Sequence, residues 1–346
     1  MVQTVTREKA GVPQGADLNP RVLSGIQPSG SSHLGNYLGA LRNWVLQQEQ
    51  YINIFCIVDL HTLSIPIPSD TLRANTMELA RVLLACGIDP GKSILFVQSD
   101  VREHAELCWI LSSVTQFGEL RRMTQFKEKS GGQGDAVSAT MFFYPLLQAA
   151  DILMYDADLV PVGEDQKQHI ELTRDIALRF NARYGETFVI PQPDIKRDGA
   201  RIMALDDPTK KMSKSSAAAG SYIALTDEPD VIRRKIMRAV TDSGGEVRAG
   251  EDKPALSNLL TIYSLLSGEP ITALEDRYRG HGYGSLKRDL AEVVVEAIGP
   301  IQRRLVELEA QPNVVNSILE DGGARAGEIA AAKMREVRAR IGVANR

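Results

Sequence analysis

The chain has 346 residues, of which 43% are hydrophobic, and 40 basic residues stand against 44 acidic ones. This length favours two packed units over one, and the ordinary globular composition argues against a disordered or fibrous protein. The net charge of −4 excludes a globally basic nucleic-acid-binding protein but not a local basic surface. No stretch is as apolar as a membrane span requires.

The first 20 residues are polar and contain no apolar stretch of the kind found in signal peptides. We therefore expect a disordered leader over residues 1–20 and a cytoplasmic protein. Cys56, Cys86 and Cys108 are an odd number of cysteines, and none is within CxxC distance of another. They predict reduced structural thiols and no metal site.

Short apolar runs bounded by turn residues alternate with helical stretches through the first 200 residues. The strand candidates are residues 22–23, 52–58, 93–97 and 159–162, and apolar residues at helical spacing mark 75–87 and 171–184. This alternation predicts an α/β fold in which helices wrap a parallel sheet.

Helical patterns replace the strands after the stretch Pro191–Pro208, which is rich in glycine and proline. This change predicts a second, all-helical domain from residue 207. Its helix candidates are residues 231–240, 286–308, which we expect to be kinked or broken at Gly299–Pro300, and 324–341. Between Thr209 and Val240 seven basic residues stand against three acidic ones, so this segment is locally positive.

The polar sequence after the first strand is the first candidate for chemistry, because ligands of parallel sheets bind at the carboxyl ends of the strands. Residues 24–36 (SGIQPSGSSHLGN) combine glycines with the start of a helix, and a helix N-terminus suits phosphate. The segment is neither a Walker A loop nor a GxGxxG loop. An ordinary loop with a surface histidine explains it equally well.

Two further segments carry polar groups in suggestive positions. Residues 208–217 (PTKKMSKSSA) join lysines to hydroxyl groups, and lysines supply compact charges for oxyanions; a solvated linker is the alternative. Residues 162–169 (VGEDQKQH) follow a strand and enter a helix. Their acceptors and amides suit ribose hydroxyls, although an ordinary capped helix start is the alternative.

Together these segments resemble the signatures of class I aminoacyl-tRNA synthetases. In that family an HLGN-type loop (residues 33–36) and a KMSKS loop (residues 211–215) bracket one nucleotide-binding unit. Residues 123–129 (MTQFKEK), 149–151 (AAD) and 163–166 (GEDQ) are similar to the bacterial tryptophanyl-tRNA synthetase branch. The usual second histidine of the first signature is Asn36 here, as in many tryptophan enzymes.

The resemblance implies three parts after the leader. A Rossmann-type catalytic domain for ATP and amino acid spans residues 21–206, and a helical anticodon-binding domain that begins with the KMSKS loop spans residues 207–309. A C-terminal helix in residues 310–346 is expected to pack back on the catalytic domain. Arg234 and Lys235 of the helical domain are expected to contact tRNA.

The implied reaction is the ATP-dependent activation of L-tryptophan to Trp-AMP, followed by transfer to the terminal 2′-hydroxyl of tRNA(Trp). Mg²⁺ is expected with the ATP, and a homodimer is implied. No iron–sulfur cluster is expected, because the family's cluster needs four cysteines. The resemblance assigns catalytic roles to Gln27, Asn36, Lys211 and Lys214.

The implied ATP-binding residues are Gln27, Pro28, Ser29, His33, Gly35, Asn36, Gly163, Glu164, Asp165, Gln166, Ile202, Lys211, Met212, Ser213, Lys214 and Ser215. The implied tryptophan-binding residues are Leu23, Gln27, His61, Tyr144, Gln148, Asp151, Val160 and Val162, with Asp151 accepting the indole N–H.

Gln148 departs from the pattern, because the familiar tryptophan enzymes carry methionine there. Gln-Ala-x-Asp also resembles tyrosyl-tRNA synthetases, so a tyrosine enzyme is the first competing hypothesis. The GEDQ and MTQFKEK sequences favour tryptophan. A different nucleotidylyltransferase and a catalytically silent RNA-binding paralogue are further hypotheses, and the intact lysine loop argues against the silent paralogue.

Overall fold

The computed structural model describes residues 19–30, 32–123, 138–195, 201–214 and 220–343. Most of the expected leader, residues 124–129 of the MTQFKEK sequence and Ser215 of the KMSKS loop lie outside these residues.

Within the described residues, five parallel strands form one sheet in the order β3-β2-β1-β4-β5. The strands are β1 (Arg21–Ile26), β2 (Ile52–Ile57), β3 (Ile94–Val97), β4 (Leu159–Pro161) and β5 (Gln192–Asp194). β2 is buried on both faces, as its continuous apolar run predicts for a strand inside a parallel sheet. The all-parallel sheet with its flanking helices confirms the predicted α/β, Rossmann-type fold.

β5 lies within the stretch Pro191–Pro208, after which the sequence predicts no strands, and it is not among the strand candidates. Among the described strands it pairs only with β4, and Pro193 stands opposite Val160. A proline lacks the backbone N–H that a central strand must donate, so it is tolerated at the edge of a sheet. The short polar strand therefore has none of the apolar patterning that marks the other four.

The first unit places helices on both faces of the sheet. They are α1 (Leu34–Asn36), which continues through a π-helical turn (Tyr37–Leu41) into α2 (Arg42–Gln47), then α3 (Asp59–Thr62), α4 (Ser69–Ala85), α5 (Glu103–Ser112), α6 (Phe117–Arg122), α7 (Ala139–Met154) and α8 (Lys167–Tyr184). α4 and α8 are the two predicted crossover helices, and each begins several residues earlier than predicted. The periodicity did not predict α7.

The second unit is helical in the described residues, as predicted. Its helices are α9 (Pro229–Arg238), α10 (Pro254–Ser267), α11 (Ile271–Arg277), α12 (Tyr283–Glu309) and α13 (Pro312–Ile341). α12 continues through Pro300, so it is not broken at that residue. Ile298 and Ile301 are buried on either side of the proline, and their packing supports the helix on both sides of it.

Two hydrophobic cores lie on opposite faces of the sheet. The first joins Phe55 and Leu83 of the first unit to Leu256 and Leu290 of the helical unit. Residues on both sides of position 207 therefore share one core. The second core includes apolar residues of α13, which also lies against β3. In the part of the chain that the structure describes, no helix is long and apolar enough to cross a membrane.

Gly322 sets how closely α13 approaches the sheet. A Cβ at this residue would overlap the carbonyl oxygen of Leu95 in β3 and lie 2.7 Å from its carbonyl carbon. Gly322→Ala is therefore expected to force the helix away and lower the free energy of unfolding by about 1–3 kcal/mol, as overpacking does elsewhere. Thermal and denaturant unfolding followed by circular dichroism measure this.

Gly327 provides a matched control on the same helix, because a Cβ there would meet no atom within 4 Å. Gly327→Ala should be neutral or stabilise by up to about 1 kcal/mol through helix propensity. Equal stability of the two variants would contradict the proposed close packing.

Candidate active site

A cavity of about 380 Å³ opens where β1 and β4 end. The strand order reverses between these two neighbours, and such a switch point is where parallel sheets bind their ligands. The cavity is lined by Leu23, Gly25, Ile26, Gln27, Cys56, Val58, His61, Ser64, Tyr144, Gln148, Asp151, Ile152, Val160, Pro161, Val162, Gly163 and Gln166. All the residues assigned above to tryptophan binding are in this lining, together with Gly163 and Gln166 of the ATP set.

One face of α7 supplies three polar groups to the cavity. Tyr144, Gln148 and Asp151 are spaced by four and three residues, which places them on the same side of a helix. The hydroxyl of Tyr144 lies 2.7 Å from Nε2 of His169 in α8, and its ring meets that of His61 edge-on at 6.4 Å between centroids. Tyr144 is thus fixed between the cavity and the neighbouring helix.

Asp151 is the buried charge at the cavity wall. Its Oδ1 accepts hydrogen bonds from Gln98 Nε2 at 2.7 Å and from His104 Nδ1 at 2.7 Å, and its Oδ2 lies 2.9 Å from His61 Nε2. Burial acts to raise the pKa of Asp151, but the hydrogen bonds from His104 and His61 outweigh it and hold this pKa well below its usual range. The carboxylate is therefore ionised and acts only as an acceptor.

The sequence analysis missed Gln98, His104 and Tyr155, which surround Asp151 on the side away from the cavity. A signal for Gln98 was present, because it directly follows β3 at the carboxyl end of the sheet, where β1 and β4 also point. His104 in α5 and Tyr155 after α7 had no comparable signal. Their hydrogen bonds join positions 47 and 51 residues apart in sequence.

The first loop and the lysine loop meet beside the cavity. Gly30 has a φ of 99°, a conformation that favours glycine, and a Cβ there would lie 2.7 Å from Lys214 Nζ. Gly35 is similarly close to the lysine loop, because a Cβ at Gly35 would lie 3.2 Å from the Cβ of Met212. The backbone N–H of Leu34 donates to the carbonyl of Ile223 at 2.8 Å, which joins the first loop to the chain that follows the lysine loop.

His33 is a neutral group between these loops. Burial lowers its pKa, and the positive charge of Lys211 lowers it further, to about 4. Asn36 accepts a hydrogen bond from the His33 backbone at 3.1 Å through its side-chain oxygen, so its NH₂ group is the part that can donate to an anion. With Lys211 and Lys214 exposed, the loops present positive and neutral donor groups that suit phosphate.

A backbone bridge brings Ile202 and Met212 together. The N–H of Met212 donates to the carbonyl of Ile202 at 2.9 Å, and both side chains are buried. Asn258 of α10 holds the intervening residue Met203 by a reciprocal pair of hydrogen bonds, 2.9 and 3.0 Å long. The base of the lysine loop is thereby anchored to the helical unit.

Most of the remaining predicted site residues lie outside the cavity lining. Pro28 is buried, and Ser29 and the segment Gly163–Asp165 are exposed, while Ser213 is half-buried. Glu164–Gln166 form a 3₁₀ turn in which Gln166 Nε2 donates to Asp165 at 3.1 Å. Apart from Gly163 and Gln166, these residues do not line the cavity.

The three cysteines are free thiols. Burial raises the pKa of Cys86 and of Cys108 to about 12, so both stay protonated at neutral pH. Among the described residues, no three His, Cys, Asp or Glu side chains are grouped so that they could hold a metal ion.

Sequence comparison places this chain among known proteins. Residues 17–299 match the profile of the family described as tRNA synthetases class I (W and Y). The chain is 53% identical to the tryptophan–tRNA ligase of Caldanaerobacter subterraneus subsp. tengcongensis over 324 residues, which cover 93% of this chain and 98% of the relative. It is 50% identical to that of Bacillus anthracis over 326 residues, 94% and 98% of the two chains.

Solved structures of aminoacyl-tRNA synthetases also superimpose on this chain. Tryptophanyl-tRNA synthetase from Mycoplasma pneumoniae superimposes with a TM-score of 0.85 at 37% identity, covering 94% of this chain and 98% of that one. The Campylobacter jejuni enzyme complexed with ADP and tryptophan gives 0.81 at 36% identity, covering 93% and 100%. A tyrosyl-tRNA synthetase from Aeropyrum pernix gives 0.64 at 21% identity over 88% and 89%, so it shares the fold alone.

Proposed function

The chain belongs to the class I tRNA synthetases of the tryptophan and tyrosine group, and from this premise we propose that it is a tryptophan–tRNA ligase. The buried, ionised Asp151 at the cavity wall is an acceptor-only group that suits the N–H of an indole, and the hydroxyl of tyrosine could also donate to it. The observation that carries the choice of amino acid is therefore the similarity to sequence relatives. Relatives about half identical over nearly the whole chain bear the name of this enzyme, whereas the tyrosine enzyme is far more distant.

The reaction needs two anions to be brought together and the resulting charge to be neutralised. We propose that the tryptophan side chain occupies the cavity and that ATP lies along the first loop, where Gln27 and the amide of Asn36 donate to its phosphates. The tryptophan carboxylate then attacks the α-phosphorus, and the bond to pyrophosphate breaks. Lys211 and Lys214 neutralise the charge that moves onto the leaving group, which is the kind of stabilisation that lowers such barriers.

The nucleoside part of ATP has its own proposed contacts. Ile202 and Met212 border the adenine, and the residues from Gly163 to Gln166 lie along the ribose. Mg²⁺ enters as part of the ATP substrate. The ADP-bound relative from Campylobacter jejuni supports nucleotide binding in this fold. We also propose a cytoplasmic location, where both ATP and tRNA are found.

Pyrophosphate exchange into ATP, run with each of the twenty amino acids, tests the proposal. Exchange that depends on tryptophan alone is expected. Faster exchange with tyrosine would favour the tyrosine enzyme, and no exchange with any amino acid would favour the silent paralogue.

We propose that α9 helps to bind tRNA, with a corrected set of residues. Lys235, expected above to contact tRNA, is only 14% exposed and donates to Asp227 at 2.6 Å, with its Nζ over the ring of Tyr222. It therefore serves the packing of the helix. Arg234 and Arg238 are exposed and make no ion pair to another described residue, so they are the basic groups available to phosphate.

The double change Arg234→Glu and Arg238→Glu is expected to lower tRNA charging at limiting tRNA by about tenfold and to flatten the salt dependence, because phosphate contacts release counterions. Pyrophosphate exchange should stay unchanged. The double change Arg73→Glu and Arg102→Glu, at two exposed arginines of the first unit, alters the net charge by the same amount and controls for net charge alone. Equal loss in this control would contradict a specific role for α9.

The homodimer is also a proposal, and an aromatic surface supports it. Trp109 and Phe117 are 77% and 69% exposed, and Phe143 is 42% exposed. The Phe117 ring lies 5.0 Å from that of Phe142, which precedes Phe143 in the helix that bears Asp151. Exposed large apolar side chains are frequent at protein interfaces, and we assign these to the contact with a second copy of the chain.

The double change Trp109→Glu and Phe117→Glu is expected to shift the protein from dimer to monomer in sedimentation velocity, because charges would be buried at the contact. Val306→Glu changes an equally exposed apolar residue, 68% exposed, on α12 of the helical unit. This control should remain dimeric. A parent protein that sediments as a monomer would refute the assignment.

A further inference from the structure

His104 and Tyr155 form a fully buried pair behind Asp151, and neither lines the cavity. His104 Nδ1 is 2.7 Å from Asp151 Oδ1, and its Nε2 is 2.8 Å from the Tyr155 hydroxyl. Phe96 stacks on the imidazole, with 5.9 Å between ring centroids and 27° between ring planes. The imidazole is thus held in one position and orientation without reaching the ligand space.

The carboxylate of Asp151, which can only accept, and the hydroxyl of Tyr155, which can donate, together fix which nitrogen of His104 carries the proton. Burial raises the pKa of this phenol far above its ordinary value, so the hydroxyl remains protonated and can donate to Nε2. A neutral imidazole that accepts at Nε2 has its proton on Nδ1. His104 therefore donates to Asp151, which is the arrangement that an ionised carboxylate requires.

The hydrogen bonds of Asp151 leave little room for a further partner. A carboxylate has about four acceptor positions, two on each oxygen. Among the described residues, Oδ1 accepts from His104 and from Gln98, and Oδ2 accepts from His61. The remaining acceptor position is on Oδ2, the oxygen that accepts from His61. His61 lines the cavity, whereas Gln98 and His104 do not. The open position is therefore on the oxygen nearest the cavity side.

We propose that His104 and Tyr155 are positioning residues for amino-acid specificity. They hold Asp151 as an acceptor with one open position, and this position recognises the indole N–H of tryptophan. The inference rests on the proposed function and adds residues to its site. A ligand of the same shape that lacks the N–H would leave a buried acceptor unpaired, and sites of this kind reject such ligands strongly.

The test compares tryptophan with its benzothiophene analogue, in which sulfur replaces the indole N–H. Values of kcat/KM from pyrophosphate exchange are measured for the parent, His104→Leu and His104→Asn. We expect the parent to prefer tryptophan by about 100-fold or more. His104→Leu removes the donor, and the preference should fall at least about tenfold. His104→Asn keeps an N–H at the place of Nδ1 and should retain most of the preference, with the KM for ATP unchanged in both.

A pH profile separates positioning from simple structural support. Loss of the donor in His104→Leu raises the pKa of Asp151, because a hydrogen bond to the ionised form is lost. Tryptophan activation depends on that ionised form, which exists only above its pKa. On the acid side, kcat/KM for tryptophan should therefore be lost at a higher pH in His104→Leu than in the parent or in His104→Asn.

Equal losses for tryptophan and the analogue in His104→Leu would overturn the proposal, and so would equal preferences in the Leu and Asn variants. If melting curves show that His104→Leu is unfolded, the same preference is measured in Tyr155→Phe, which removes only the hydroxyl oxygen that bonds His104. Its preference should fall at least about threefold, and an unchanged preference would overturn the proposal. A parent that does not exchange pyrophosphate with tryptophan overturns the proposed function instead.

Discussion

Replacing Lys214 by alanine is expected to slow formation of Trp-AMP by about 100- to 1000-fold while leaving the affinity for tryptophan nearly unchanged. Lys214 Nζ lies against Gly30 of the first loop, and Lys214 does not line the cavity that Asp151 lines. Its charge acts where pyrophosphate leaves, so the loss falls on the transition state. Single-turnover release of pyrophosphate measures the rate, and equilibrium dialysis measures tryptophan binding.

Lys210 is the matched control for this experiment. It belongs to the same loop, is 74% exposed, and pairs with Asp207 at 2.9 Å. Lys210→Ala should stay within about twofold of the parent, because exposed ion pairs contribute little. Equal losses of tryptophan affinity and rate in Lys214→Ala would indicate that the loop only supports the structure.

Asp151→Asn is expected to lower kcat/KM for tryptophan by about 100-fold or more with the KM for ATP unchanged. The amide oxygen can still accept from His104 and Gln98, but this places the NH₂ group toward His61 and the ligand. The NH₂ group of the new asparagine would then face the indole N–H, and two donors cannot form a hydrogen bond. Pyrophosphate exchange at varied tryptophan and varied ATP separates the two effects.

Gln148→Met is the control on the same helix face. Gln148 lines the cavity one turn before Asp151 and is absent from the hydrogen bonds of the carboxylate. We expect tryptophan to remain the substrate with a rate change below about fivefold, since swaps that conserve volume are well tolerated. Intact tryptophan activation in Asp151→Asn would refute the specificity assignment and leave the family assignment standing.

Local patterns in the amino-acid sequence determined much of the fold. β2 and β3 are continuous apolar runs, and α8 carries its apolar residues at helical spacing, so burial and periodicity identify them within one stretch of chain. The glycine-rich loop and the lysine loop stand out in the sequence as polar segments, and the residues assigned to tryptophan follow from the resemblance to class I synthetases. The structure brings the tryptophan set to one cavity because parallel strands end at the same edge of the sheet.

Only the tertiary structure decided which groups serve that site and which do not. β5 is a strand because β4 offers it a pairing edge, and α12 continues through Pro300 because both sides of the proline are packed. Lys235 belongs to an ion pair rather than to a basic surface because Asp227 folds next to it. His104 reaches Asp151 across 47 residues of sequence. Each of these features depends on contacts between distant segments, which no local pattern of residues records. The amino-acid sequence therefore identified Asp151, and only the fold showed that His104 holds its carboxylate in place.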